Sequence, residues 1–161
     1  MAAPLESQNA KNASRRTRRT TSSAKGGTRH PPSPKTKPRE GERVKEVDVE
    51  LRRGGGSRAK GGMPGGFFWH IYHQNALAGN VFVNCDGETG LASIQIFLNR
   101  KSQSRGIGRI AYRLACEESK YSEVYAFMRR SNIASFRAAV AAGFGEVPSQ
   151  FGQVTMIWKR T

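Results

Sequence analysis

Residues 93–108, SIQIFLNRKSQSRGIG, decide how this chain folds. From Ser93 to Leu98 apolar residues alternate with a β-branched bias, the pattern of a strand. From Ile107 onward, Ile107, Ile110, Ala111 and Leu114 recur at helical spacing, with Arg109, Arg113 and Glu117 on the other face. A strand that turns through glycines into a helix leaves unpaired N–H groups at the positive end of the helix dipole. That position suits a phosphate or pyrophosphate. Gly106 and Gly108 would admit a ligand without a Cβ in the way, and Arg105 and Arg109 add charge. Read without a ligand, the same segment is a tight strand-to-helix connection. The dinucleotide fingerprint does not fit, since its third glycine and acidic partner are missing, and no Gly-Lys-Ser/Thr follows for a phosphate-binding loop.

A second patterned segment follows. Val124–Met128 reads as a strand, and Ser131 and Asn132 are N-cap residue types. Ile133, Phe136, Val140 and Ala141 then form an apolar stripe over a helix at 132–142, and Gly143 stands where a left-handed C-cap is expected. By themselves Asn132 is a cap and Ser135 a small helix residue.

The two segments, in this order and spacing, resemble the GNAT superfamily of acyl-CoA-dependent N-acetyltransferases. Its acyl-CoA loop follows an apolar strand with Gln or Arg, two residues, Gly, one residue, and Gly or Ala, matched here by Gln103, Gly106 and Gly108. The Asn132 helix closed by Gly143-Phe144 matches its second motif, and the resemblance covers about residues 67–161. It implies acetyl-CoA as cosubstrate and an amine as acceptor. The pyrophosphate would lie on the loop Gln103, Ser104, Arg105, Gly106, Ile107, Gly108 and Arg109. Asn132 would bond the pantetheine arm, with Ser135 nearer the pyrophosphate. The main chain of Phe97, Leu98 and Asn99 would face the thioester. The chain departs from the family in three places. Ala139 stands where many members carry a Tyr, residues 91–99 hold no carboxylate, and no helical pattern separates the first two strands.

The fold class expected is therefore α/β, a GNAT-type mixed sheet with flanking helices, in the order β-β-β-β-α-β-α-β. Its first strand is read from the alternation of Val47, Val49 and Leu51. A flexible glycine-rich loop is expected over 54–66. Phe67–His73 and Val81–Asn84 read as antiparallel strands joined around Asn75–Gly79, Asp86-Gly87 as the next turn, and Val154–Lys159 as the last strand.

The 161 residues carry a net charge of +15, which points to an anionic partner. Residues 1–42 hold ten Lys/Arg against three Glu, with Leu5 as the one large apolar side chain, so a disordered basic tail is expected before a domain at 43–161. Arg15, Arg16, Arg18 and Arg19 form a cluster suited to DNA or RNA phosphates. A nuclear-import signal and a plain solubilising tail are the other readings. No secretory signal and no stretch of about 18 apolar residues is present, so no membrane is expected. Cys85 and Cys116 form neither a disulfide framework nor a CxxC pattern, the three histidines lack metal-ligand partners, and an intracellular, cytoplasmic setting fits. Cys116 reads as a buried free thiol.

No catalytic residue carries over from the family. His70, His73 and Tyr72 are weak candidates, with Tyr125 and Glu88 behind them and Tyr112 read as packing. The two histidines, three apart on a strand, face opposite sides of the sheet. The aromatic run at 67–72 reads as a sheet covered on both faces, or as a surface that stacks an exposed base. Three functions follow: an acetyltransferase acting on an amine, an enzyme of the same fold that modifies nucleic acid as some phage DNA-modification members do, and a non-catalytic member whose tail binds nucleic acid or an acidic protein.

Overall fold

A computed structural model describes residues 44–149 and 152–161, all within one unit, Arg39–Thr161. The expected tail, with Arg15, Arg16, Arg18 and Arg19, lies outside the described residues. Seven strands form one sheet in the order β1-β2-β3-β4-β5-β7-β6. They are β1 (Val49–Arg53), β2 (Phe67–His73), β3 (Ala76–Cys85), β4 (Ala92–Leu98), β5 (Glu123–Met128), β6 (Gly145–Val147) and β7 (Val154–Lys159). Helices α1 (Ile107–Ser119) and α2 (Ile133–Ala141) follow β4 and β5. All neighbours pair antiparallel except β4 and β5, which run parallel. No helix lies between β1 and β2, as the sequence led us to expect.

Both helices cover the same side of the sheet. Trp69, Ile71, Val81, Val83, Ile94, Val124, Ala126 and Met156 turn from the strands into one core with Ile107, Ile110, Ala111 and Ala115 of α1. Each large apolar side chain fully buried there contributes about 1.5–3 kcal/mol relative to exposure. Cys116 is a buried free thiol within it, and burial pushes its pKa well up. α1 ends on Lys120 in the left-handed region, and α2 ends in a Schellman motif. In the latter, Phe144 N–H donates to the Ala139 carbonyl, Gly143 N–H to Val140, and Gly143 has φ +94°.

Several sequence expectations are corrected. Val47 is not in a strand: it sits in a 3-10 turn, Glu46–Asp48, closed by Asp48 N–H to the Lys45 carbonyl at 3.1 Å, and is 89% exposed. The β2–β3 turn is only Gln74-Asn75, both at positive φ, so Ala76–Asn80 is strand. The register slips between Ile71 and Tyr72, which places the extra residue Ala78 in the core. Next to it, a Cβ on Gly79 would fall 2.0 Å from the Phe97 carbonyl oxygen, so only glycine fits that approach of β3 to β4. The α2 stripe is core only in part: Phe136 packs against the core, but Ile133 and Val140 are half exposed, while the small Ala138, Ala139 and Ala142 face the packing. β6 was not read from sequence. The 54–66 loop is pinned: Gly61 N–H donates to Asn84 Oδ1 at 2.6 Å, and Asn84 Nδ2 donates to the Ala59 carbonyl at 3.1 Å.

Candidate functional site

Because β4 and β5 are parallel, their carboxyl ends, and the loops leading into α1 and α2, lie at one end of the sheet. The two strands share one register pair, Ser93 with Tyr125, and the pairing stops there. Ile94–Leu98 therefore has an unpaired edge facing a gap, and ligands of open α/β sheets sit outside such strand ends. Asn99 N–H is already bonded to the Ala78 carbonyl at 2.8 Å. Donors alternate sides along a strand, so the N–H of Leu98 points into the gap and those of Phe97 and Asn99 point toward β3. Of the three main-chain amides expected to face a thioester, the geometry leaves Leu98.

Between β4 and α1 the chain makes a short turn, Arg100–Ser102, and then a cradle. Asn99 Nδ2 ties the loop to the Leu77 carbonyl at 2.8 Å, and Gln103 Nε2 donates back to the Leu98 carbonyl at 3.1 Å. Ser104 and Gly106 are both left-handed, at φ 59° and 84°, a pattern that gathers N–H groups into a concave donor set. Gly106 caps α1 with no side-chain hydrogen bond, so the first amides of the helix stay open. Gln103, Ser104, Arg105 and Gly106 are exposed. A Cβ on Gly106 would meet only Arg109 Nε, at 3.5 Å, which places that guanidinium beside the cradle. Arg109 Nη2 is held by the Val44 carbonyl at 3.2 Å. The Ile107 side chain is fully buried, so it offers only its amide. Gly108 turns toward Ala138 and Leu98, at 3.5 and 3.7 Å from a built Cβ, which is helix packing rather than an approach for a ligand.

At the α2 side, Asn132 Oδ1 accepts Ser135 N–H at 3.1 Å as the N-cap, which leaves its Nδ2 donors. Ser135 is half-buried beside Tyr112, whose phenol is pushed up to about 12 by burial, with Ser135 acting the other way. Tyr112 packs against Phe144, ring centroids 5.6 Å apart, and holds its proton at neutral pH. Ala139, the position of the family's Tyr, is fully buried.

The weak catalytic candidates separate. His73 is buried on the helix side, and His70 lies on the other face with Nδ1 2.8 Å from Asn80 Oδ1. Register runs His70, Asn80, Phe97 across three strands, so His70 shares a row with the gap's edge. Tyr72 lines a separate cleft of about 230 Å³ with Val47, Asp48, Glu50, Gln74 and Asn75, and Arg52 lies 4.2 Å over its ring. Glu88 is in the Asp86 turn, and Tyr125 sits on β5 beside Glu123. Sequence reasoning missed the cations that rim the gap, Arg100, Lys101, Arg129 and Arg130, and the exposure of Phe97 and Phe127. The cations were visible as Arg-Lys and Arg-Arg pairs directly after the two strands.

A mixed sheet with a parallel pair that opens over a strand–loop–helix cradle defines a GNAT-type α/β protein, and the comparisons agree. The microcin C7 self-immunity acetyltransferase MccE, solved with acetyl-CoA and AMP, is similar with a TM-score of 0.51 and 19% identity over 60% of this chain and 62% of that one. The GNAT domain of S. lividans PAT gives 0.52 and 14% over 59% and 61%. A spermidine N-acetyltransferase SpeG chimera from Vibrio cholerae and hSSAT gives 0.51 and 17% over 59% and 67%. The chain thus spans about three fifths of the length of the first two. It has the fold of the GNAT acetyltransferases. No family model matches it, and no curated protein does. Among the described residues, no helix is long and apolar enough to cross a membrane.

Proposed function

We propose that this protein binds acetyl-CoA and transfers its acetyl group to an amine carried on or near nucleic acid, in a cytoplasmic setting. The observation that carries the reading is the cradle Gln103–Gly108 at the open end of the unpaired β4 edge. Its residues fit the group: a left-handed glycine with no Cβ, uncapped helix amides and two arginines match a pyrophosphate, and an unpaired strand edge matches an amide-bearing arm. Acetyl-CoA and the name N-acetyltransferase belong to the structural relatives MccE and SpeG, and they are extended to this chain on that basis.

When bound, acetyl-CoA supplies an acetyl group activated as a thioester. The chain's own residues do the rest. The amides of Gly106 and Ile107 and the Arg109 guanidinium would hold the phosphates, and Asn132 Nδ2 would donate to the arm. Leu98 N–H, on the unpaired edge of β4, would be the main-chain donor to a thioester carbonyl placed there. Proximity and this polarisation supply most of the acceleration, and water or the acceptor carries the protons.

Titration calorimetry with acetyl-CoA, then a screen of protein, polyamine and DNA acceptors by mass spectrometry, tests the reading. Saturable binding and an acceptor about 42 Da heavier (an acetyl group in place of one hydrogen, a net gain of C2H2O) support it; no binding overturns it. With an acceptor in hand, His70→Ala and His73→Ala should each cost less than about a hundredfold in rate, that is about 2.7 kcal/mol. A larger loss would assign a side-chain base. Tight acetyl-CoA binding without turnover on any acceptor favours the non-catalytic reading, which the buried Ala139 and the carboxylate-free β4 already suit.

A further inference from the structure

Among the described residues, no helix covers the face of the sheet opposite α1 and α2, and at the β4/β5 gap that face presents two exposed aromatic rings. Phe97 is 56% and Phe127 47% exposed, one on each side of the gap. Each is backed by a parallel ring: Phe97 stacks on Phe82 at 5.9 Å, and Phe127 on Tyr125 at 6.2 Å, with interplanar angles of 15° and 10°. Each ring thus has one face against its neighbour and about half of its surface exposed. Immediately after Phe97 and Phe127 come the two loops at 99–106 and 129–132. They carry Arg100, Lys101, Arg105, Arg129 and Arg130, all exposed, and contain no acidic residue. None of these cations pairs with a carboxylate among the described residues.

We propose that this face is a docking surface for single-stranded nucleic acid, with bases stacked on the two rings and phosphates on the cationic loops. The combination of outward aromatic faces and a cationic track fits unpaired strands, because every base has a π-face once it is free of a partner. A duplex would meet only the cations, since its bases are stacked within the helix. A second copy of the chain on this face would bring five uncompensated positive charges against the same five in an isologous contact. The surface shares Arg105 with the acetyl-CoA cradle, but Phe127, Arg129 and Arg130 take no part in that cradle, so the variants below read the docking surface alone.

Fluorescence anisotropy with the full chain tests it, using labelled oligothymidylate of about 12 nucleotides and a duplex of the same length. Phe127→Leu should weaken single-strand binding by roughly 5- to 150-fold, the range for one lost stack, while Phe127→Trp keeps it and duplex binding stays as it was. Arg129→Gln with Arg130→Gln should lower the log–log salt slope on the single strand by about 1.4. Equal single-strand affinity in the Leu and Trp variants overturns the proposal. So does a loss of duplex binding in Phe127→Leu as large as its loss of single-strand binding. A concentration-dependent dimer in sedimentation that Phe127→Leu dissociates would give the face to a second copy instead and likewise overturn it.

Discussion

Replacing Gly106 by Ala separates backbone strain from ligand contact, because the chain contains a matched control. Gly106 has φ +84°, and a Cβ there meets only Arg109 Nε at 3.5 Å; Gly90 has φ +71°, and a Cβ there meets nothing within 4 Å. Each alanine adopts a left-handed backbone without a clash, at a cost of about 1–2 kcal/mol. Urea unfolding should show both variants destabilised to that extent with m unchanged. The methyl of Gly106→Ala, however, stands among the open amides of α1, where a pyrophosphate would draw closest. Loss of one charge-assisted hydrogen bond is worth about 1.5–3 kcal/mol, so acetyl-CoA affinity should fall roughly 10- to 150-fold. Gly90→Ala, in the Asp86 turn, should bind acetyl-CoA as the unaltered chain does. Equal affinity in the two variants, measured by calorimetry at one temperature and salt, would refute the placement of the phosphates on this cradle.

Two further outcomes are expected. Tyr112 is raised from 10.0 to about 12 by burial, so the native state keeps a proton that the unfolded chain releases above pH 10. Stability from this group is present below pH 10 and is lost as pH rises toward 12, by about 2.7 kcal/mol in all; Tyr112→Phe should flatten that part of the urea-monitored profile, and parallel profiles would remove the assignment. Deleting residues 1–42 should lower the log–log salt slope on duplex DNA by about 0.9 for each phosphate its arginines neutralise and leave acetyl-CoA affinity alone; an unchanged slope would take the tail out of nucleic-acid binding.

The elements legible in the sequence were those fixed by local pattern. Val124–Met128 and Val154–Lys159 are short apolar, β-branched and aromatic runs, and the α1 spacing together with Gly106 marks a helix start that the fold uses. What was misread depended on neighbours. Gly79 looked like the end of a turn, yet it is there because β4 passes too close for a Cβ. Ile133 and Val140 share a helical face with Phe136, but α2 meets α1 through alanines, whose small side chains let the backbones approach. Likewise, alternation shows that Phe97 is on a strand; it cannot show that the sheet face it occupies lacks a helical cover.

The absence of a Tyr at position 139 has a physical origin in the packing of α2. A Tyr at position 139 needs space between α2 and its neighbours, and in this chain that space is closed: Ala139 is fully buried, with Ala142 and Phe144 in the same core. Inserting a ring there would overpack the core, where extra methylenes alone cost about 1–3 kcal/mol. Under the proposed acetyl transfer, a side chain that relays a proton to the gap would have to come from the opposite, open side. On that face, among the described residues, the one imidazole is His70, held by Asn80 in the register row that ends at Phe97. Two strands separate it from the gap, so water must bridge any proton path between them. An acceptor large enough to lie across the sheet would reach the gap directly, since no helix between β1 and β2 stands in its way.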